Sequence, residues 1–131
     1  MKFDDSYYLR LAIAAARGST CLRRKYGAVV VNPLGQVVGI GTNCEPGMSL
    51  CKLSGRCERE KLGIPHGERY ELCRSVHAEM NAIIDAGRER CAGATLYLAG
   101  YENGEPMEDP QPCDLCRRVI ESVLIKRVVT K

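Results

Sequence analysis

Apolar residues recur along this chain with two different periods. In "DDSYYLRLAIAAARG", Leu9, Ala12, Ile13 and Ala16 fall three or four apart, the spacing of one helix face, and Gly18 suits the stop. "YGAVVVN" (26–32) and "QVVGIGT" (36–42) are β-branched runs on either side of "PLG", which predicts a hairpin-like pair of strands. "VHAEMNAIIDAG" (76–87) returns to helical spacing through Ala78, Ala82 and Ile83 and stops at Gly87. "ATLYLA" (94–99) predicts a strand, "CDLCRRVIESVL" (113–124) a helix and "IKRVVT" (125–130) a last strand. Residues 43–75 hold four Gly, two Pro and four Cys with little periodicity, and "GYENGEPMEDPQP" (100–112) is an acidic loop. A loop as long as 43–75 needs a function or a staple. The alternation of strand and helix after residue 36 predicts parallel pairing with right-handed crossovers, within one domain over residues 1–131.

Composition changes this picture at one point. The 131 residues are 45% hydrophobic and 27% charged, a globular balance, and six Tyr, one Phe and no Trp leave the core to aliphatic side chains. A net charge of +3 does not by itself argue for nucleic acid. No run of about 18 apolar residues is present, so no membrane span is expected. "MKFDDSYYLRL" carries acids and lacks the continuous apolar stretch of a signal peptide, so the expected location is the cytoplasm. The cysteine count is what stands out: Cys21, Cys44, Cys51, Cys57, Cys73, Cys91, Cys113 and Cys116. Without an export signal, metal ligation is a better reading of them than disulfides.

Cys113 and Cys116 in "PCDLC" are three apart at a predicted helix start, so their sulfurs share a face, and a helix N-terminus favours the thiolate that binds metal. Alone, C-x-x-C fits a redox pair, half a structural zinc site or a buried pair. His77 adds a third ligand from a second helix start, and three protein ligands on zinc leave one position for water. A lone histidine is more often a core or surface residue; Glu79 weighs against that. Residues two apart point to nearly opposite sides of a helix. His77 and Glu79 meet at one centre only if it lies beyond the helix end. Then His77 binds the metal, and Glu79 reaches the water without binding the metal. Two thiolates reduce the Lewis acidity of zinc, and two helix N-termini aimed at the site partly restore it. A carboxylate that takes a proton from water and gives it to a leaving group suits hydrolytic deamination. H-x-E followed by P-C-x-x-C is the general signature of zinc deaminases acting on nucleobases.

With these motifs in place, the chain resembles the deoxycytidylate deaminase family from about residue 6 to 129. "STCLRRKYGAVVV" is similar to that family's first helix-to-strand junction, and "GIGTNCEPGMSLC" to its G-x-N-x-x-P segment. "GRCEREKLGIPHGERYELCRSVHAEMNAI" is similar to its cysteine-containing insertion and catalytic helix, and "PCDLCRRVIESVLIKRVV" to its second catalytic helix and fourth strand. The resemblance implies a three-layer cytidine deaminase-like α/β fold, a central mixed sheet of four to five strands with helices on both faces. It implies that His77, Cys113 and Cys116 hold a catalytic zinc and that Glu79 shuttles the proton. Asn43 would hold the sugar or the base edge, and the backbone of Ala78 would meet the pyrimidine carbonyl. Some members hold a second, structural zinc in the insertion. Here Cys21, Cys51, Cys57 and Cys73 are the candidates, with His66 as a replacement for one, against the plainer reading of buried free cysteines. Cys44 and Cys91 default to packing. The implied partners are a small nucleotide substrate and further copies of the chain.

Three features depart from the family pattern. "LYLAGYENGEPMEDPQPC" places Glu102, Glu105, Glu108 and Asp109 in a loop beside the site, where a solvated rim is expected. Thr42 stands where an aromatic is frequent. The chain stops at Lys131, where longer members continue. For the phosphate, two basic clusters offer themselves: Arg23, Arg24 and Lys25, and Arg56, Arg59 and Lys61. A deaminase of another base, a nucleoside or a single-stranded polynucleotide is the enzymatic alternative. The modest charge and the lack of Trp argue against the polynucleotide. A zinc-stapled binding module is the non-catalytic one, and it has no need of Glu79.

Overall fold

The β-branched runs pair as their pattern demands. In a computed structural model that describes residues 2–47, 49–65 and 73–131, β1 (Arg24–Val31) and β2 (Val37–Thr42) run antiparallel, with Gly27 opposite Thr42 and Val30 opposite Gly39. β3 (Thr95–Glu102) lies on the other side of β1, also antiparallel. The far edge of β3 carries β4 (Glu105–Pro106) at one end, antiparallel, and β5 (Arg127–Val129) at the other, parallel. The sheet is therefore five-stranded and mixed. The hairpin expected for the first two runs forms, whereas the parallel pairing expected among the strands after residue 36 holds directly only for β3 and β5. β2 and β3 do run the same way, but β1 is inserted between them.

The period of two along β1 and β3 sorts the core into two layers. Val29, Val31, Tyr97 and Ala99 form one buried cluster with Tyr8 and Ala12 of α1 (Asp5–Ala16). Ala28, Val30, Leu96 and Leu98 face the other way, into a cluster with Ala78, Ala82 and Ile83 of α4 (Ala78–Ala86) and Ile120 of α6 (Asp114–Ser122). Helices thus cover both faces. α1 starts where Asp4 accepts a hydrogen bond from the Tyr7 N–H at 2.9 Å, and it is tied to the sheet by the Tyr97 hydroxyl donating to Asp5 at 2.6 Å.

α4 lies against the backbone of β2. A Cβ on Gly41 would overlap backbone atoms of Ala82 and Ala78, so only glycine lets helix and strand come this close. The irregular segment holds two short helices, α2 (Leu50–Ser54) and α3 (Glu58–Lys61), and α5 (Arg88–Cys91) follows α4. Periodicity predicted none of the three, because four or five residues carry too little of a 3.6-residue repeat. Among the described residues no helix is long and apolar enough to cross a membrane.

Candidate metal centre and active site

α4 and α6 lie on the same face of the sheet, and their first residues come together. His77 is the N-cap of α4, with φ −67° and ψ 151°, and its side chain makes no capping bond. The backbone is extended at His77 and helical from Ala78, so residues 77 and 79 escape the opposition that helical spacing would impose. Cys113 is the N-cap of α6; its sulfur accepts from the Cys116 N–H at 3.4 Å. The His77 Nδ1 stands 3.2 Å from the Cys116 sulfur and 3.6 Å from that of Cys113. Among the described residues this is the group of three or more potential ligands whose donor atoms all lie within 4.8 Å of one another.

That spacing fits a tetrahedral zinc. Zn–S and Zn–N lengths of about 2.3 and 2.0 Å put neighbouring ligand atoms roughly 3.5 Å apart. The donor set fits too. Burial, and next the Glu79 carboxylate, hold the Cys116 thiol far above the ordinary thiol range. Burial also raises Glu79, which is 5% exposed. A cation among these groups reverses the cost of ionising them. His77, Cys113 and Cys116 could hold the ion, with the Glu79 carboxylate beside Cys116 and outside the ligand triangle.

The triad opens into a cavity of about 300 Å³, which His77, Ala78, Glu79 and Cys113 line on the chemical side. Asn43 also lines it, but its side chain already works for the fold. Its Oδ1 accepts from the Tyr26 N–H and its Nδ2 donates to the Arg24 carbonyl, each at 2.8 Å. One N–H and one lone pair remain for a ligand. Ala78 opens α4, where backbone N–H groups lack helical partners.

The basic clusters divide. Arg23, Arg24 and Arg59 line the cavity; Lys25, Arg56 and Lys61 do not. Arg23 pairs with Glu60 at 2.9 Å and Arg24 with Glu102 at 3.1 Å. The acidic loop is exposed at Glu102, Glu105, Glu108 and Asp109, and through Glu102 it also holds an arginine of the wall.

The second cysteine set shares a wall in part, but among the described residues its sulfurs do not form a group of three spaced to hold an ion. Cys21, Cys57 and Cys73 line the same cavity, and burial, then the neighbouring Cys21, Cys57 and Glu45, push the Cys73 thiol up. Cys51 is buried in α2, and its N–H donates to the Glu45 carboxylate at 3.3 Å. His66 lies outside the described residues. Sequence reasoning missed two polar residues of the wall, Ser75 and Gln111. Gln111 adjoins the "PC" pair, the one signal that could have found it; Ser75 carries none.

Residues 2–131 match the family described as the cytidine and deoxycytidylate deaminase zinc-binding region. The deoxycytidylate deaminase of Mycobacterium phage D29 is 38% identical over 131 aligned positions, covering 95% of this chain and 91% of that protein. The fission yeast Schizosaccharomyces pombe has a deoxycytidylate deaminase that is 35% identical over 127 positions; the match covers 95% of this chain but only 36% of that protein. Among solved structures, the dCMP deaminase of cyanophage S-TIM5 in complex with dCMP and dUMP is similar with a TM-score of 0.64 and 26% identity, over 94% of this chain and 76% of that one. Cytidine deaminase from Mycobacterium tuberculosis, at 19% identity and a TM-score of 0.55 over 97% of this chain and 83% of that one, shares the fold.

Proposed function

Because the chain belongs to the cytidine and deoxycytidylate deaminase family, we propose that it converts dCMP and water to dUMP and ammonia. One observation carries the reading. A buried carboxylate, Glu79, stands beside a His–Cys–Cys group at the wall of a nucleotide-sized cavity. A binding module has no use for it.

Zinc, when bound, supplies the Lewis acidity that lets water attack as hydroxide near neutral pH. His77, Cys113 and Cys116 would hold it. The Glu79 carboxylate relays both protons of the attacking water, one to ring N3 of cytosine and one to the exocyclic amine that leaves. The new C–O bond forms at C4, and the C4–N bond breaks to release ammonia. The backbone of Ala78 meets the pyrimidine carbonyl, and the remaining N–H of Asn43 meets the sugar or base edge. That the phage relative is a deoxycytidylate deaminase, and that the cyanophage structure holds dCMP and dUMP, support the nucleotide as substrate.

Further parts belong to the same reading. Cys21, Cys51, Cys57 and Cys73 form a second, structural metal site; the three that share the cavity wall support it. Two zinc ions per chain by metal analysis are expected, and one removes that site. The exposed apolar side chains of Ile84, Leu115 and Leu124 support assembly with further copies of the chain, and the location in this reading is the cytoplasm.

The test is ammonia release over a substrate panel: cytosine, cytidine, deoxycytidine, CMP, dCMP, single-stranded DNA, and guanine and adenine compounds. Release from dCMP well above all others is expected. Turnover confined to a free nucleoside, another base or the polynucleotide contradicts the reading.

A further inference from the structure

Resting on the nucleotide deaminase reading, we propose that Ser75 is a specificity-determining residue whose hydroxyl donates a hydrogen bond to the 5′-phosphate of the substrate. Ser75 Oγ is buried, and no hydrogen-bond partner reaches it among the described residues. A buried hydroxyl left this way costs free energy, so its partner is to be sought in what the cavity receives. Ser75 lines that cavity, two residues before His77.

Its position is fixed. The next residue, Val76, exchanges both backbone hydrogen bonds with Cys44, at 3.1 and 2.8 Å. Four of its polar neighbours in the wall already have work. Arg23 pairs with Glu60, Arg24 with Glu102, and Asn43 braces β1. Gln111 accepts from Arg117 at 2.8 Å and donates to Asp109 at 3.0 Å.

The wall that holds Ser75 also holds Arg23, Arg24 and Arg59. Three guanidinium groups favour an anion over a neutral sugar hydroxyl. A phosphate offers acceptors only, and a hydroxyl meets it as a donor without adding charge. Two of the guanidiniums share their charge with acids, so an uncommitted donor weighs more here.

Steady-state kinetics of the zinc-loaded full chain and of its Ser75→Ala variant test the assignment. KM for dCMP is expected to rise about tenfold while kcat stays within about twofold. The inhibition constant of deoxycytidine, which lacks the phosphate, is expected to stay unchanged. A KM for dCMP within twofold of wild type overturns the assignment, and so does an equal weakening of deoxycytidine. Thermal unfolding guards against a packing effect. Removing a hydroxyl with no protein partner should leave Tm at or above the wild-type value, and a drop of several degrees makes Ser75 structural instead. If the wild-type chain releases no ammonia from dCMP, the deaminase reading fails; an active wild type with unaltered Ser75→Ala kinetics sinks this inference alone.

Discussion

Cys113 does two jobs with one sulfur. It caps α6 through the Cys116 N–H, and it faces the His77 imidazole. Cys113→Ser keeps a capping oxygen but lacks the soft, ionisable ligand. The expected outcome is loss of zinc and of ammonia release together, with the fold retained by circular dichroism; a variant that keeps both at wild-type level refutes the ligand assignment. The residues of this centre were legible because the chemistry constrains type and spacing at once: H-x-E and P-C-x-x-C leave few other uses. Asn43 was legible only as a position. Its side chain serves two backbone groups of β1, which no linear pattern reveals. Ser75 was not legible at all, since serine is common in loops and its distinction is a missing partner.

At the scale of elements, strands and long helices followed from periodicity, and neighbour order did not. β1 sits between β2 and β3, so a strand–helix–strand alternation that suggested adjacent parallel strands produced antiparallel neighbours. The start of the acidic loop was also misread. "ENGE" is a two-residue hairpin: Asn103 has φ 51° and Gly104 φ 84°, the left-handed pair such turns need, and Glu102 and Glu105 pair across it. The Asn-Gly signal was present, but the surrounding acids and prolines hid it. Packing at this scale gives two predictions. Gly41→Ala drives a methyl into the α4 backbone and should cost about 1–3 kcal/mol or more in urea unfolding; an unchanged midpoint contradicts the close approach.

The second concerns the clamp that joins α1 to β3 and β5. Asp5 accepts from the Tyr97 hydroxyl and, at 3.0 Å, from Arg127. Tyr97 first, then Arg127, hold the Asp5 carboxyl below the ordinary carboxylate range. A lowered acid contributes stability that is present above its unfolded value of about 3.9 and is lost as pH falls through the folded value. Burial, then the Asp5 contact, raise the Tyr97 hydroxyl, so its share is present below about 10 and lost as pH rises. Asp5→Asn should therefore be less stable than wild type at neutral pH, with a gap that narrows below about pH 4. A gap constant across that range contradicts the clamp.

At the scale of the whole molecule, one sheet face brings the starts of α4 and α6 together, and segments distant in sequence complete the wall of the cavity. The centre therefore depends on the fold, and the fold gains from whatever ion the centre holds. Stripping the metal with a chelator should abolish ammonia release and lower Tm, and added zinc should restore both. Cys57→Ser should lower Tm before it touches the chemistry, because Cys57 stands in the wall and outside the close His–Cys–Cys group. The most direct measurement compares turnover of dCMP by wild type and Glu79→Ala at equal zinc content. Removing a positioned proton carrier is expected to slow ammonia release by at least about a hundredfold while zinc stays bound. Equal rates from the two proteins, or equal inertness on dCMP, would contradict the claim that this carboxylate drives a hydrolytic deamination.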